Sequence, residues 1–475
     1  MASSKQKNCA TSGLDIFLHL DGKPGGGLRV AVETGLREAI RSGRLPRGTR
    51  LPSTRALARD LGISRGTVLQ AYDQLVAEGW LRGRRGSSTI VSAEAEFHRR
   101  STAIRQPPPV RWRYDLRPGR PDAGSFPRAE WMRALRRALA TAPNAAFGYG
   151  ETQGQLPLRV ELAGYLSRAR GLRVSPESVV VTAGFTQGLG LVARSLAAMG
   201  VSAVAMEEPS MPLHRSIVRA AGLTVTLMGV DGDGMQVEAL ARSPEIGAAV
   251  LTPNRQHPTG VALGAARRAQ LLGWARKQGA LIVEDDYDGE FRYEGHPLGP
   301  LQGLDPDLVV YAGTVSKTLA PGVRLGWLVL PERLRQPVLR EKELADWQSS
   351  TLEQLALAEM LHASAYDRHV RRMRLRYRRR RDLLVSALAE AFPDLRIMGI
   401  EAGLNLVIPL PDHATEARAL AAAGAAGVGL EGLAESGLYE RRAPAGLVVG
   451  YAAAPEHAFA GSIEALVSAL RPLCG

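Results

Sequence analysis

The chain has 475 residues, of which 45% are apolar and 23% charged, and a formal net charge of +13. That length exceeds one ordinary core, so two or three domains are expected, and the charge favours a polyanionic partner, nucleic acid ahead of an anionic membrane surface. Two cysteines at opposite ends, Cys9 and Cys474, exclude a disulfide framework and a cysteine metal centre; with no long apolar run and no apolar signal core in residues 1–10, a cytoplasmic protein without a membrane partner or a metal is expected.

The composition changes twice along the chain. Residues 14–92 are rich in arginine and read as one domain. Residues 93–113 hold Arg99, Arg100 and the consecutive Pro107, Pro108 and Pro109, which suit an extended linker. Residues 114–475 alternate short apolar runs with helical stretches and read as a second domain.

In the first domain Val32, Leu36 and Ile40 recur at four-residue spacing and predict one apolar helix face, closed by Gly43. Leu51–Gly62 predicts a short helix capped by Ser53 and stopped at Gly62. Ser64 caps the next helix, whose buried face is Val68, Ala71, Tyr72 and Leu75 and whose opposite face offers Arg65, Thr67 and Gln70. Two helices around a Gly-containing turn, the second with a polar N-terminal face, predict a helix-turn-helix that sets its second helix in the major groove. In Gly79–Val91 two apolar runs flank a basic tip with Arg82, Arg84, Arg85 and Gly86, which suits a β-hairpin wing against phosphates or the minor groove.

A helix pair with surface arginines is by itself an ordinary element; the ordered combination is what discriminates. Residues 28–91 resemble the GntR-family winged helix in Leu51-Pro-Ser-Thr-Arg55, Ser64-Arg-Gly-Thr-Val68, Tyr72-Asp-Gln-Leu75 and the wing, where Ser88 stands in place of the usual glycine. The resemblance implies that Arg55, Ser64, Arg65, Thr67 and Gly86 contact double-stranded operator DNA.

In the second domain Ser178–Thr182, Ala203–Met206, Ala248–Leu251, Leu281–Val283 and Leu308–Tyr311 are buried-strand candidates, separated in places by helical stretches such as Gly264–Gln278. The alternation predicts an α/β domain with a mostly parallel sheet. Chemistry-bearing loops follow these strands. Gly184, Phe185 and Thr186 open a helix after the first, offering N–H groups and a hydroxyl to a phosphate. Asp285, Asp286 and Tyr287 follow Leu281–Val283. Lys317 follows Leu308–Tyr311, among small and hydroxyl residues, with Thr314, Ser316 and Arg324 placed to reach one phosphate.

Those parts are what pyridoxal 5'-phosphate (PLP) requires. A lysine forms the Schiff base (the internal aldimine), a carboxylate keeps the pyridine nitrogen protonated, and a donor such as Tyr287 serves the ring's phenolic oxygen. A lone lysine in a loop is an ordinary surface residue; the surrounding pattern reverses that reading. Tyr311–Gly326 resembles the lysine motif of fold-type I PLP enzymes, in the Ser316-Lys-Thr-Leu-Ala-Pro-Gly322 form of the MocR subgroup of the GntR family. The resemblance implies that Asp285 pairs with the pyridine nitrogen, with Asp286 left open as the alternative. It places His257, in Thr252–Gly260, where aminotransferases have Asn, and Arg255 where MocR proteins usually show His. Met211 stands where an aromatic ring usually covers the PLP face. Tyr149, in Phe147–Glu151, matches the tyrosine that reaches the partner subunit's phosphate.

The resemblance runs from about residue 28 to about 470. It implies a winged helix-turn-helix (α+β) domain fused to an α/β fold-type I aminotransferase-like domain, in a head-to-tail, domain-swapped homodimer. Such a protein is a PLP-dependent transcription regulator that senses an amine, amino-acid or B6-type effector. Aminotransferases carry an arginine near Ala445–Tyr451 that clamps the substrate carboxylate in a bidentate pair. None occurs between Ala443 and Ala454; Arg441 and Arg442 lie just upstream. Efficient transamination is therefore not expected, because orientation is lost with the clamp. The alternative is an active aminotransferase with an auxiliary DNA-binding domain, and a third reading is a nonspecific nucleic-acid binder with steep salt dependence. Arg371–Arg381, with Met373, Tyr377 and Leu384 as an apolar stripe, reads as a solvated helix face, an auxiliary DNA contact being the rarer case.

Overall fold

The computed structural model describes residues 27–83, 88–92, 112–293, 299–441 and 443–474. The chain divides into two compact units, Met1–Val110 and Arg111–Gly475.

The first unit packs α1 (Leu28–Arg41), α2 (Thr54–Leu61) and α3 (Arg65–Ala77) around Val32, Leu36, Leu57, Val68 and Leu75, all fully buried. Ser53 and Ser64 start α2 and α3 by accepting from the N–H groups of Ala56 at 3.2 Å and Thr67 at 3.1 Å. α2 stops at Gly62, whose left-handed backbone (φ 67°, ψ 35°) would cost a residue with a β-carbon roughly 1–2 kcal/mol. The chain then turns sharply into Ser64 and α3. β1 (Leu81–Arg82) and β2 (Ile90–Val91) form an antiparallel ladder, Leu81 opposite Val91. The expected wing tip, with Arg84, Arg85 and Gly86, lies outside the described residues.

The second unit opens with β3 (Tyr114–Asp115). Its large sheet comprises β4 (Val179–Thr182), β5 (Ala203–Glu208), β6 (Thr224–Asp231), β7 (Gly234–Met235), β8 (Ile246–Leu251), β9 (Leu281–Asp285), β10 (Val309–Thr314) and β11 (Gly326–Val329). The strand order is β4-β11-β10-β9-β8-β5-β6-β7. Pairing is parallel from β10 through β9, β8 and β5 to β6, and antiparallel around β11 and at β7. β5, β9 and β10 are buried along their whole length. Helices cover both faces, which is why these strands read as continuous apolar runs. Leu189, Leu196 and Val218 pack on one face, and Leu271 and Trp274 on the other.

A smaller antiparallel sheet joins β12 (Asn405–Pro409), β15 (Gly446–Gly450) and β14 (Glu431–Gly432). Beside it β13 (Val428–Gly429) pairs in parallel with β3. Trp112, near the end of the expected linker, already packs here, since a β-carbon on Gly429 would strike its ring. The linker before it lies outside the described residues. In the helix Ala365–Ala391, Met373, Tyr377 and Leu384 are buried while Arg371, Arg372, Arg378 and Arg379 are exposed. Arg380 departs from a solvated face. It is buried because the Ala452 carbonyl (2.6 Å), Glu456 (2.9 Å) and Asp122 (3.3 Å) accept from its guanidinium. No described helix is long and apolar enough to cross a membrane.

Candidate functional site

Parallel strands deliver their C-terminal ends to one edge of the sheet, where α/β proteins hold ligands. β9 ends there at Asp285, opposite Ala312 of β10, and Lys317 sits in the turn just beyond β10. The Lys317 Nζ donates to the Gly119 carbonyl at 2.6 Å. Burial pushes its proton affinity below the ordinary lysine value, against the pull of Asp288 and Asp285.

The two aspartates have opposite surroundings. Asp286 accepts from Arg170 (Nε 2.9 Å, Nη2 2.5 Å), the Tyr311 hydroxyl (2.8 Å) and Asn254 Nδ2 (2.9 Å). Asp285, one residue earlier and so on the other side of the chain, is buried with an Oδ1 that has no hydrogen-bond partner. Burial, and then the charge of Asp286, holds its carboxyl well above the usual carboxylate range, with Lys317 opposing. Protein donors therefore occupy Asp286, and Asp285 has an acceptor to offer.

A second set of groups gathers where β4, β10 and β11 run side by side, with Thr314 opposite Gly326 and Gly326 opposite Thr182. Gly184 (φ 94°, ψ 173°) precedes the helix Phe185–Ala198. The first helical bond runs from Gly188 N–H to the Gly184 carbonyl, so the N–H groups of Phe185 and Thr186 lie ahead of the ladder. A β-carbon on Gly184 would lie 3.5 Å from Arg324 Nη1, and one on Gly326 would lie 2.8 Å from Gly184 Cα. Glycine at 326 lets backbone meet backbone, and the Arg324 guanidinium lies beside the helix start. The Thr314 hydroxyl lies 2.9 Å from Ser316 Oγ and 3.1 Å from the Leu325 carbonyl, and receives the Ser316 N–H at 3.1 Å. A cation, free N–H groups and hydroxyls in this arrangement suit a phosphate.

Tyr287 and two histidines complete the cluster. Arg255 Nη1 donates to the Tyr287 hydroxyl at 2.9 Å. The Tyr287 ring meets His257 edge-on at 6.0 Å. Burial, aided by the charges of Arg255 and Lys317, pushes His257 down to about 3. Burial and Lys317 push His214 down to about 4, so both imidazoles are neutral. His214 packs edge-on against Phe185 at 4.9 Å. Met211, 38% exposed, precedes the helix Pro212–Ala220 that carries His214. Tyr149 is not buried with these groups: it is 94% exposed, beside the Trp347 ring at 6.2 Å. Arg441 forms an ion pair with Glu208 at 3.4 Å, and Arg442 lies outside the described residues.

In the first unit Arg55, Ser64 and Arg65 are exposed at the starts of α2 and α3, and Thr67 is half-buried. The Ser64 oxygen serves the α3 cap and lies 2.8 Å from the Thr67 hydroxyl. Arg65 Nε reaches Thr54 Oγ1 at 3.5 Å. Gly86 lies outside the described residues.

Arg170, His214, Asn254 and the Gly119 carbonyl join the site beyond the residues expected from sequence. Arg170 is a last-turn helix residue 116 positions from Asp286, a separation no local pattern signals. His214 had a signal, a polar residue one helical turn after Met211. Among the described residues no group of three or more His, Cys, Asp or Glu side chains is arranged to hold a metal.

Residues 118–443 match the family model for aminotransferase class I and II, and residues 28–91 match that for bacterial regulatory proteins of the gntR family. The chain is 35% identical over 379 residues to the HTH-type pyridoxine biosynthesis transcriptional regulator PdxR of Corynebacterium glutamicum, covering 78% of this chain and 81% of that one. It is 33% identical over 460 residues to the probable rhizopine catabolism regulatory protein MocR of Rhizobium meliloti, covering 92% of each. Among solved structures, the kynurenine aminotransferase of Pyrococcus horikoshii superposes with a TM-score of 0.67 at 26% identity, covering 75% of this chain and 90% of that one.

Proposed function

Because the chain belongs to the MocR-type regulators, a GntR-family helix-turn-helix domain joined to a class I and II aminotransferase domain of fold type I, we propose that it is a transcription regulator that holds PLP in its second unit and adjusts its grip on operator DNA to the state of that site. The carrying observation is the unpartnered, buried Oδ1 of Asp285 facing the half-buried Lys317. A lone buried carboxylate oxygen is costly without a donor, and a protonated pyridine nitrogen is a fitting one. The aminotransferase class I and II family is PLP-dependent, and the residues present fit the cofactor.

When bound, PLP supplies a reactive aldehyde on an electron-withdrawing ring. Lys317 attaches it, and its lowered proton affinity enlarges the share of neutral, nucleophilic amine. Asp285 orients the ring through its nitrogen. Tyr287 and His257 serve the side of the phenolic oxygen, and Met211 covers the ring face. Gly184, Phe185, Thr186, Thr314, Ser316 and Arg324 hold the phosphate. Operator contacts come from Arg55, Ser64, Arg65, Thr67 and Gly86. The working boundaries are 14–92 for the DNA reader, 93–113 for the linker and 114–475 for the PLP domain, and the site of action is the cytoplasm.

The effector is an amine, an amino acid or a B6-type molecule. The pyridoxine regulator among the relatives adds weight to the last. The functional unit is a homodimer, head-to-tail and domain-swapped. Phe147, Tyr149, Leu156 and Trp347 expose large apolar surface around one loop, which suits burial against a second copy with Tyr149 reaching the partner's phosphate.

Adding PLP to the purified protein tests the reading. A visible absorbance band should appear, and borohydride should fix the cofactor to the peptide containing Lys317. No band, or fixation at another lysine, overturns it. The rival reading, an active aminotransferase with an auxiliary DNA-binding domain, draws on the likeness to the kynurenine aminotransferase, 90% of whose chain is covered; steady-state turnover of amino acids with 2-oxo acids would favour it.

A further inference from the structure

Arg255 is a buried cation that a PLP site does not require. It is 4% exposed. Its Nη1 donates to the Tyr287 hydroxyl at 2.9 Å and to Asp288 Oδ2 at 3.1 Å, and its Nη2 donates to the Asn405 carbonyl at 2.5 Å. Glycine at 403 makes room, since a β-carbon there would overlap the guanidinium. Burial works against the charge, but Tyr287 and Asp288 overcome it and raise its proton affinity above the ordinary arginine value.

A hydroxyl that accepts from a cation has one proton left and donates it more strongly. Asp288 is the competing acceptor for that proton. Its carboxyl is pushed up to about 6 by burial, with Arg255 and the Tyr287 hydroxyl opposing. The other titratable groups facing this pair are Asp285 and Asp286 on the same segment, Tyr293 just after it, His257 on the Arg255 loop, Lys317 beyond β10 and Tyr451 after β15.

We propose that Arg255 is a positioning residue for the cofactor: it engages Asp288 with its charge and the Tyr287 oxygen with its N–H, so that the Tyr287 proton stays directed at the ring's phenolic oxygen. This rests on the PLP reading of the site. A stronger Tyr287 donor draws negative charge from the phenolic oxygen and so disfavours a proton on the Lys317–cofactor linkage beside it; without Arg255 that donor weakens and the linkage keeps the proton to higher pH.

The test is a pH titration of the visible absorbance of the full-length, PLP-loaded protein. Arg255→Gln should raise the midpoint by about one pH unit. Tyr287→Phe should raise it too, and adding Arg255→Gln to Tyr287→Phe should move it little further. Arg255→Lys keeps the charge without the planar fork, so its midpoint should lie between wild type and Arg255→Gln; it carries the test if the glutamine variant does not fold. A folded Arg255→Gln or Arg255→Lys protein with the wild-type midpoint and wild-type PLP affinity overturns the assignment, as does a full-sized shift in the Tyr287→Phe background. Wild-type protein that takes up no PLP at all overturns the site reading, and Arg255 with it; a normal wild-type band with unmoved variants overturns Arg255 alone.

Discussion

Asp285→Asn should strengthen the cofactor-free fold and weaken the cofactor site at once. The carboxylate is fully enclosed, its Oδ1 lacks a donor, and Asp286, Asp288 and Glu207 add like charge around it. An unsatisfied buried polar group costs about 1–3 kcal/mol, more when charged. The amide leaves that oxygen unpaired but removes the buried negative charge, so the substitution should stabilise the PLP-free chain by about 1–3 kcal/mol where the carboxyl would be ionised, or roughly 1–5 °C in a unit of this size. The folded-state proton affinity of Asp285 is raised above the ordinary value of 3.8. Stability from this group is thus full below that value and is lost as pH rises through the folded one. The gain on substitution should be absent near about pH 4 and grow with pH. With PLP the sign reverses, because a hydrogen bond to a charged group contributes about 1.5–3 kcal/mol, a loss of roughly 10- to 150-fold in affinity. Asp286→Asn is the control: it strands the buried Arg170 guanidinium and should destabilise the chain with or without PLP, by about 3–5 kcal/mol. Differential scanning fluorimetry across pH and equilibrium PLP titration read all four quantities. An Asp285→Asn protein that melts lower without PLP, or binds PLP like wild type, would show that Asp285 is neither a strained buried charge nor a partner of the cofactor.

Gly184→Ala should lower PLP affinity while leaving the DNA reader intact, since the backbone at φ 94° strains any β-carbon at the start of the phosphate-facing helix; phosphate-dependent PLP binding against pyridoxal binding checks it. Ser64→Ala removes the α3 cap and should cost about 1 kcal/mol of helix stability, seen in chemical denaturation of the first unit. Arg65→Ala, with its side chain exposed at the start of α3, should weaken operator binding about tenfold or more without moving PLP affinity. Arg371→Glu should leave operator affinity within about twofold; a larger fall would assign the exposed face of Ala365–Ala391 to DNA.

Much of the frame was legible because it depends on local signals. Ser53, Gly62 and Ser64 mark helix ends by capping chemistry that acts within three or four residues. The continuous apolar runs of β5, β9 and β10 follow from a sheet covered on both faces. β6 and β11 were passed over. β6 is only partly buried along most of its length, so its apolar signal is diluted. β11 is four residues long and opens on a glycine, set antiparallel between β4 and β10. At the site, the family resemblance favours Asp285 over Asp286, but what makes their surroundings differ, Arg170 and Tyr311 around Asp286, is distant in the chain and close only after folding. The Arg255–Tyr287 contact is legible only in part. The departure of residue 255 from its usual type is visible, but the direction of its side chain follows from Gly403 and Asn405, distant in the chain and adjacent only after folding.

In a PLP-sensing regulator the B6 site and the DNA reader share one free-energy coupling. Fluorescence anisotropy of a labelled operator fragment, titrated with full-length protein with and without saturating PLP, measures that coupling directly. The wild type should show operator affinities that differ severalfold between the two conditions, and Lys317→Ala should show one affinity in both. Equal wild-type affinities across PLP and a panel of amines and amino acids would contradict it.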